Sequence, residues 1–278
     1  MRCTFRASVT VKHPAAHTQA YVARRTTRRW YRRGVADVKA ELQARWLGRI
    51  DYRAAWELQH ELVARRRANE IPDQLLLLEH PAVLTLGRQS DRNHVLASAD
   101  ELARRGIDVI RVERGGEVTY HGPGQLVAYP IVRLADRGVL LRPFVRLLEQ
   151  SMIDTAAGYG VEAGRRSGYP GVWCDAESAT PRKLGALGLR IEGGVSYHGI
   201  ALNVNTDLDD FELIDACGLP DTTTTSLALE AGWAAHESRP STASVANVAD
   251  RFEHAFRMRL EEATAAVSRA AQSEPVAV

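Results

Sequence analysis

Three segments of the chain concentrate groups able to do covalent or acid–base chemistry. The first, Arg114-Gly115-Gly116-Glu117-Val118-Thr119-Tyr120-His121-Gly122-Pro123-Gly124-Gln125, puts four glycines into the ten positions 115–124. Glycine inside a regular element costs up to ~1 kcal/mol, so the segment predicts a loop rather than a strand or helix. Bare backbone there can approach a ligand, with Arg, Thr, Tyr and His side chains to orient it; a tight structural hairpin is the alternative. The order G-x-x-x-x-G-K-[ST] is missing, which excludes a phosphate-binding P-loop. The second segment opens with Lys183 and runs through the apolar, glycine-spaced stretch to Arg190, then on to Tyr197-His198-Gly199-Ile200-Ala201-Leu202-Asn203-Val204. A lysine buried there becomes a base by losing its proton, whereas one at a strand end simply snorkels to solvent. The third, Phe211 to Pro220, holds Cys217-Gly218 in a turn that offers a sulfur to a substrate, unless the thiol is an inert core residue. Cys3 lies in the N-terminal leader and Cys174 in a strand beside Trp173, so neither is expected to react. Cys174, His198 and Cys217 lack the C-x₂-C or H-x₃₋₅-H spacing of a zinc site, and no G-x-S-x-G marks a serine hydrolase. No metal is expected.

Positioning these groups needs a substantial scaffold. The 278 residues are 45% hydrophobic and 25% charged, enough apolar material for a sizeable core and too much for a disordered chain. No uncharged apolar run reaches the length of about 18 residues that spans a bilayer, so no membrane association is expected. Three cysteines at unrelated spacings exclude a disulfide framework and fit a reducing, cytoplasmic setting. Residues 1–34 hold nine Lys/Arg and no acid, leaving 27 bases against 34 acids in the remainder, a net of −7. The leader lacks the apolar stretch of a secretory signal. An organellar transit peptide or a nucleic-acid-binding arm are alternatives for it, but a disordered extension is the reading adopted, with no nucleic-acid partner.

Beyond it, Leu42–Leu47 reads as a strand, Asp51 as the cap of a helix to about Arg67, and Gln74–Glu79 as a buried strand interrupted by His80-Pro81. The mainly apolar stripe of the first helix is Tyr52, Ala55, Trp56, Gln59, Leu62 and Val63. Ser98 and Glu101 form a capping box for a short helix ending at Gly106, followed by a strand at Ile107–Val112. Further strands are expected at Val127–Val132, Gly171–Cys174, Leu184–Ile191 and Ile200–Val204, and helices at 141–158 and from Ser244 to Glu262. Strands and helices mix without strict alternation, so the expectation is one α+β domain over 39–264. It lies between a basic extension, 1–38, and a flexible tail, 265–278.

Taken in order, R-G-G-x-x-T-Y-H-G-P-G-Q-L-V-x-Y-P, K-x-G-x-x-G with Y-H-G-x-A-L-N-V and D-L-x-x-F, and a C-G turn before T-S-L resemble the lipoyl(octanoyl) transferases. The resemblance runs from about Leu47 to Leu227. It implies a single domain with a mixed β-sheet flanked by helices, like the biotin and lipoate protein ligases. It also implies transfer of an octanoyl group from octanoyl-acyl carrier protein to a lysine of lipoyl domains through a cysteine thioester, the first step of endogenous protein lipoylation. The family's acyl-bearing cysteine maps to Cys217, and the lysine that sets its ionisation to Lys183. Substrate-contacting residues map to Arg114, Gly115, Gly116, Glu117, Val118, Thr119, Tyr120 and His121, to Ala186, Leu187 and Gly188, and to Gly199, Ile200 and Ala201. Ala216 departs from the proline usual before that cysteine, which loosens the local backbone constraint. No cofactor and no ATP are implied, because the donor arrives activated. The implied partners are acyl carrier protein, lipoyl domains of 2-oxoacid dehydrogenase complexes and the glycine cleavage H protein, with the chain itself a monomer. His121 and His198 are candidates to orient the acyl carbonyl. Because the body is net acidic, acidic partners require a local basic patch, for which Arg133, Arg137, Arg142, Arg146, Arg165 and Arg166 are the candidates.

Overall fold

The computed structural model describes residues 41–215, 223–233 and 244–273. A first strand, β1 (Leu42–Arg49), leads to helix α1 (Tyr52–Arg67), whose start is fixed by Asp51 accepting from the amides of Arg53 and Ala54. Next come β2 (Asp73–Glu79), β3 (Val83–Leu86) and α2 (Ala99–Arg105). Ser98 caps α2 through the Glu101 amide, and Gly106 closes it in the left-handed conformation, as the sequence pattern requires. Then follow β4 (Asp108–Arg111), β5 (Val118–His121), β6 (Gln125–Ile131), α3 (Leu141–Ala157), β7 (Gly164–Arg166), β8 (Tyr169–Cys174), β9 (Arg182–Glu192) and β10 (Val195–Asn203). The described chain ends with β11 (Thr223–Thr224), α4 (Leu227–Glu230) and α5 (Val245–Ser273).

Among the described residues the strands form two sheets. The larger is mixed, in the order β1-β2-β6-β10-β9-β8-β7, with β11 paired in parallel to β9. The smaller is β4-β3-β5. Strand β2 shows why the large sheet sits between two helical layers. Leu75 and Leu77 belong to the cluster that packs under α3 and α5, with Phe144, Leu148, Phe252 and Phe256. Leu76 and Leu78 point the other way, against Ala55, Leu62 and Val63 of α1. The period of two therefore buries both faces, and a continuous leucine run is the result.

A polar knot ties α1 to the sheet. Asp73 is fully buried and takes Arg66 Nε at 2.7 Å and Arg137 Nε at 2.8 Å, and it accepts from the Arg133 amide at 3.1 Å. Arg137 Nη2 also lies 2.8 Å from Asp73, at an angle that makes the contact ionic rather than a hydrogen bond. Arg66 Nη2 reaches Asp136 at 2.6 Å. Arg137, a candidate for a surface basic patch, is thus a buried structural cation.

Two expectations change. The glycine-rich segment was expected to be loop throughout, but Val118–His121 forms β5 between its glycines, paired antiparallel to β3. Strand β3 itself begins at Val83, just past the His80-Pro81 break. Helix α5 carries the stripe Val245, Val248, Phe252, Phe256 and Leu260, all buried, and continues past Glu262 through Ser273. Its alanine-rich end, read as a frayed tail, has the residue type of highest helix propensity.

Candidate active site

A cavity of about 400 Å³ lies where the two sheets meet. One wall is the β9–β10 pair. Its antiparallel register sets Ala186 opposite Ala201, Leu187 opposite Ile200 and Gly188 opposite Gly199. The two expected contact tripeptides are therefore cross-strand partners, and all six residues line the cavity.

The facing wall is the loop between β4 and β5. Arg114, Gly115, Gly116 and Glu117 line the cavity, followed by Val118, Thr119 and His121 of β5. The loop is stitched to β9 by the Gly115 amide, which donates to the Leu189 carbonyl at 2.9 Å. A Cβ on Gly188 would stand 2.7 Å from the Gly115 carbonyl oxygen, so this close approach requires glycine. Arg114 is buried and its guanidinium is spent on the scaffold. Nε and Nη2 both reach Thr85 Oγ1, Nη2 also reaches the Thr85 carbonyl at 2.7 Å, and Nη1 donates to Gly115 O. Tyr120, expected among the contact residues, is turned away by the alternation of β5. It packs with Leu84, Leu86 and Phe211, and its hydroxyl donates to Asp210 at 2.6 Å.

The floor is aromatic and histidine-rich. His121 and His198 line it with Tyr52 and Tyr129. His80 sits behind, its Nδ1 donating to the Ile50 carbonyl at 2.8 Å and its Nε2 accepting from the Tyr129 hydroxyl at 2.8 Å. Burial pushes His80 down to about 4 and His121 well below the usual histidine range, so both are neutral at pH 7. Burial also lowers His198, more than the neighbouring Glu113 raises it.

The tautomer of His121 is set by a relay. Gln125 Nε2 donates to Asn203 Oδ1 at 2.9 Å, which leaves Gln125 Oε1 to accept the His121 Nδ1 proton at 2.7 Å. His121 Nε2 is then an acceptor. Asn203 in turn donates to the Thr225 carbonyl at 2.9 Å, and the Thr225 amide donates to the Lys183 carbonyl at 3.0 Å. His198 is held differently. It takes the left-handed conformation at φ 54°, its amide donates to Gln59 Oε1 at 2.8 Å, and its ring stacks on Tyr197. Neither ring nitrogen has a hydrogen-bond partner; Nε2 stands 3.7 Å from Glu113. Glu113 is nonetheless a charged group facing that ring, and it raises the His198 pKa against the larger effect of burial.

Lys183 lies at the cavity's edge near the start of β9, opposite Trp173 of β8 on one side and Thr224 of β11 on the other. Its Nζ sits 5.0 Å from the centre of the Trp173 ring. Gly171, at φ 125°, makes room: a Cβ there would meet the Gly185 carbonyl and, at 3.2 Å, Lys183 Cε. Cys217 lies outside the described residues, as does Ala216. Cys174, by contrast, is buried, and burial pushes its thiol up to about 12, which fits an inert core sulfur.

Sequence reasoning missed the floor and the mouth. Tyr52 read as part of the first helix's apolar stripe, where a hydroxyl was a signal, and Tyr129 fell unremarked inside the strand expected at Val127–Val132. His80 read only as the end of a strand, and Gln125, Asn203 and Thr225 carried no signal of acting together. Leu141 and Val145, which form part of the lining, fell in a helix read as scaffold, and Pro170 fell just before an expected strand.

Residues 51–257 match the family model described as the lipoyl protein ligase A/B catalytic domain. Over 194 residues the chain is 50% identical to the octanoyltransferase of Chloroflexus aurantiacus, spanning 69% of this chain and 86% of that protein. It is 44% identical over 215 residues to the octanoyltransferase of Mycolicibacterium gilvum, spanning 77% of this chain and 83% of that one. Among solved structures it is similar to lipoate-protein ligase A bound with ATP, at a TM-score of 0.57, 14% identity and coverage of 84% and 94% of the two chains. It is also similar to the bipartite lipoate protein ligase of Thermoplasma acidophilum, studied with its E2 lipoyl domain, at 0.54, 15%, 84% and 91%. These two likenesses show the fold, a mixed sheet flanked by helices.

Proposed function

The chain belongs to the lipoyl protein ligase A/B catalytic-domain family and is an octanoyltransferase, and we propose that it takes the octanoyl group from acyl carrier protein, holds it on Cys217 and passes it to a lysine of a lipoyl domain. The observation that carries the dyad is the strand partner of Lys183. Thr223–Thr224, six and seven residues after Cys217 in sequence, forms β11; Thr224 pairs with Lys183, and the Thr225 amide donates to the Lys183 carbonyl. So short a separation in sequence supports pairing the cysteine with Lys183 in the proposed chemistry.

A free thiol with a pKa of about 8.5 is only a few per cent thiolate at pH 7, so the reaction needs an amine to share its proton. In the first step the Cys217 thiolate attacks the donor thioester carbonyl. A new C–S bond forms, the bond to the carrier's sulfur breaks, and the departing thiolate takes up a proton. In the second step the acceptor amine attacks the Cys217 thioester, an amide forms and the Cys217 sulfur leaves. The amine's surplus proton passes to Lys183 or to that sulfur. The first exchange is close to balanced; thioester to amide runs downhill.

The cavity supports an aliphatic cargo. Leu187, Ile200, Ala186 and Ala201 form its β9–β10 wall, and each buried CH₂ contributes ~0.8 kcal/mol, which favours an eight-carbon chain over shorter ones. The floor offers neutral imidazoles, and the buried Arg114 guanidinium in the facing wall is held by Thr85 and Gly115.

Intact-mass analysis tests the reading. Incubated with octanoyl-acyl carrier protein and no ATP, the protein is expected to gain one octanoyl group, and Cys217→Ser is expected to lose that gain. An absolute requirement for ATP, with adenylate formed from the free acid, overturns the proposal.

A further inference from the structure

We propose that Arg142, Arg146, Arg165 and Arg166, set around the mouth of the cavity, dock the acidic protein that delivers the acyl group; the proposal rests on the thioester-transfer reading above. The first turns of α3 carry Arg142 and Arg146, and β7 supplies Arg165 and Arg166. Segments 140–149 and 164–173 hold these four arginines against one carboxylate, Glu149, in a body whose net charge is negative.

Glu149 is itself buried and builds the surface rather than cancelling it. Its Oε2 takes Arg146 at 2.9 Å and Arg165 at 3.0 Å, and its Oε1 accepts from the Gly171 amide at 3.1 Å. Arg165 also donates to the Arg146 carbonyl at 2.9 Å, which lays β7 across α3. Arg166 stacks over Tyr169 and Trp173, the ring above which Lys183 also sits. Among the described residues no carboxylate lies within ion-pair distance of Arg142 or Arg166. Arg142 is exposed and Arg166 half-buried over its two rings, and among the described residues neither is offset by an ion pair.

The mouth is also apolar. Leu141, Val145 and Pro170 line the cavity's rim, and Leu140 stands 75% exposed beside them. This combination selects the donor over the acceptor. The donor brings a fatty chain on an arm, which suits an apolar lip, carried by a protein whose acids the arginines attract. The acceptor presents a lysine amine and no fatty chain, so the apolar lip has nothing of it to hold. A surface with one sign of charge against an oppositely charged body acts chiefly on encounter rate, and salt weakens it.

The test compares two donors across Arg142→Glu, Arg166→Gln and the double variant. With octanoyl-acyl carrier protein the double variant is expected to raise KM by about tenfold or more, leave kcat within about twofold, and flatten the salt dependence of kcat/KM. With the small thioester octanoyl-N-acetylcysteamine, KM and kcat are expected to stay at parent values. An unchanged KM for the carrier protein overturns the proposal. So does an equal loss with the small thioester, which would mean structural damage, or a KM rise confined to the lipoyl domain, which would give the surface to the acceptor. If the parent transfers octanoyl from neither donor, the underlying thioester reading fails and the docking surface falls with it.

Discussion

The knot around Asp73 and the floor of the cavity both bury polar side chains within the same sheet sandwich, and they treat them in opposite ways. In the knot, full charges face full charges: Arg66, Arg137 and the Arg133 amide converge on one carboxylate. On the floor, His80, His121 and His198 are neutral, and the ring nitrogens of His198 are left without a hydrogen-bond partner. The knot closes on itself and joins α1 to β2. The floor leaves valences open, and cations there would compete with an aliphatic guest. Removing one partner of a buried ion pair strands the others, whereas a neutral ring loses little until something must bind to it.

The contrast can be broken from either side. Lys183→Ala is expected to fold with the parent's thermal midpoint and lose on the order of 10³-fold in turnover, about 4 kcal/mol of barrier, read by steady-state octanoyl transfer. Parental turnover would sink the dyad. Asp73→Ala is expected to do the reverse, costing about 3–5 kcal/mol in urea unfolding while the folded fraction keeps its kcat. A loss of kcat in that fraction would mean the knot is not merely scaffold.

Acid separates the two regions again. His80 is pushed down to about 4, chiefly by burial, against about 6.5 for the unfolded chain. Between those values the unfolded chain binds more protons, so stability rises with pH there and is lost as pH falls through that window. His80 alone contributes on the order of 3 kcal/mol, and His121 and His198 act in the same direction. Urea midpoints at pH 7 and pH 4.5 check the sign; equal midpoints would contradict a neutral floor. The smallest effect is expected from Gly188→Ala, whose methyl meets the Gly115 carbonyl. About 1–3 kcal/mol of overpacking and a raised KM for donor should follow, with kcat less affected.

How much of this could be read from the chain depends on whether the signal was local. The Asp51 and Ser98 caps, the Gly106 terminator and the stripe of α5 are contacts within a few residues, and they appear where the sequence places them. Strand β5 was hidden because its four residues lie between glycines, whose composition argued for loop. Tertiary pairing with β3 overrode that preference. Arg137 looked like surface charge because nothing near it in sequence shows that Asp73, sixty-four residues away, lies opposite. Of the site, Lys183 and the substrate-contacting residues implied by the resemblance line the cavity except Tyr120, which packs into the small sheet's core, while Cys217 lies outside the described residues. That Ala186–Gly188 and Gly199–Ala201 are partners follows from a register that no single strand encodes.

The cavity's two walls come from different sheets, and Lys183, the amine of the proposed mechanism, stands near the start of β9 in only one of them. Strand β9 carries both the proposed amine and part of the apolar wall, while the glycine loop opposite is a separate piece of chain. A lineage can remodel the glycine loop to admit a longer or branched cargo and leave the amine's surroundings intact. New acyl preferences then arise by swapping a lining rather than by reinventing a catalyst.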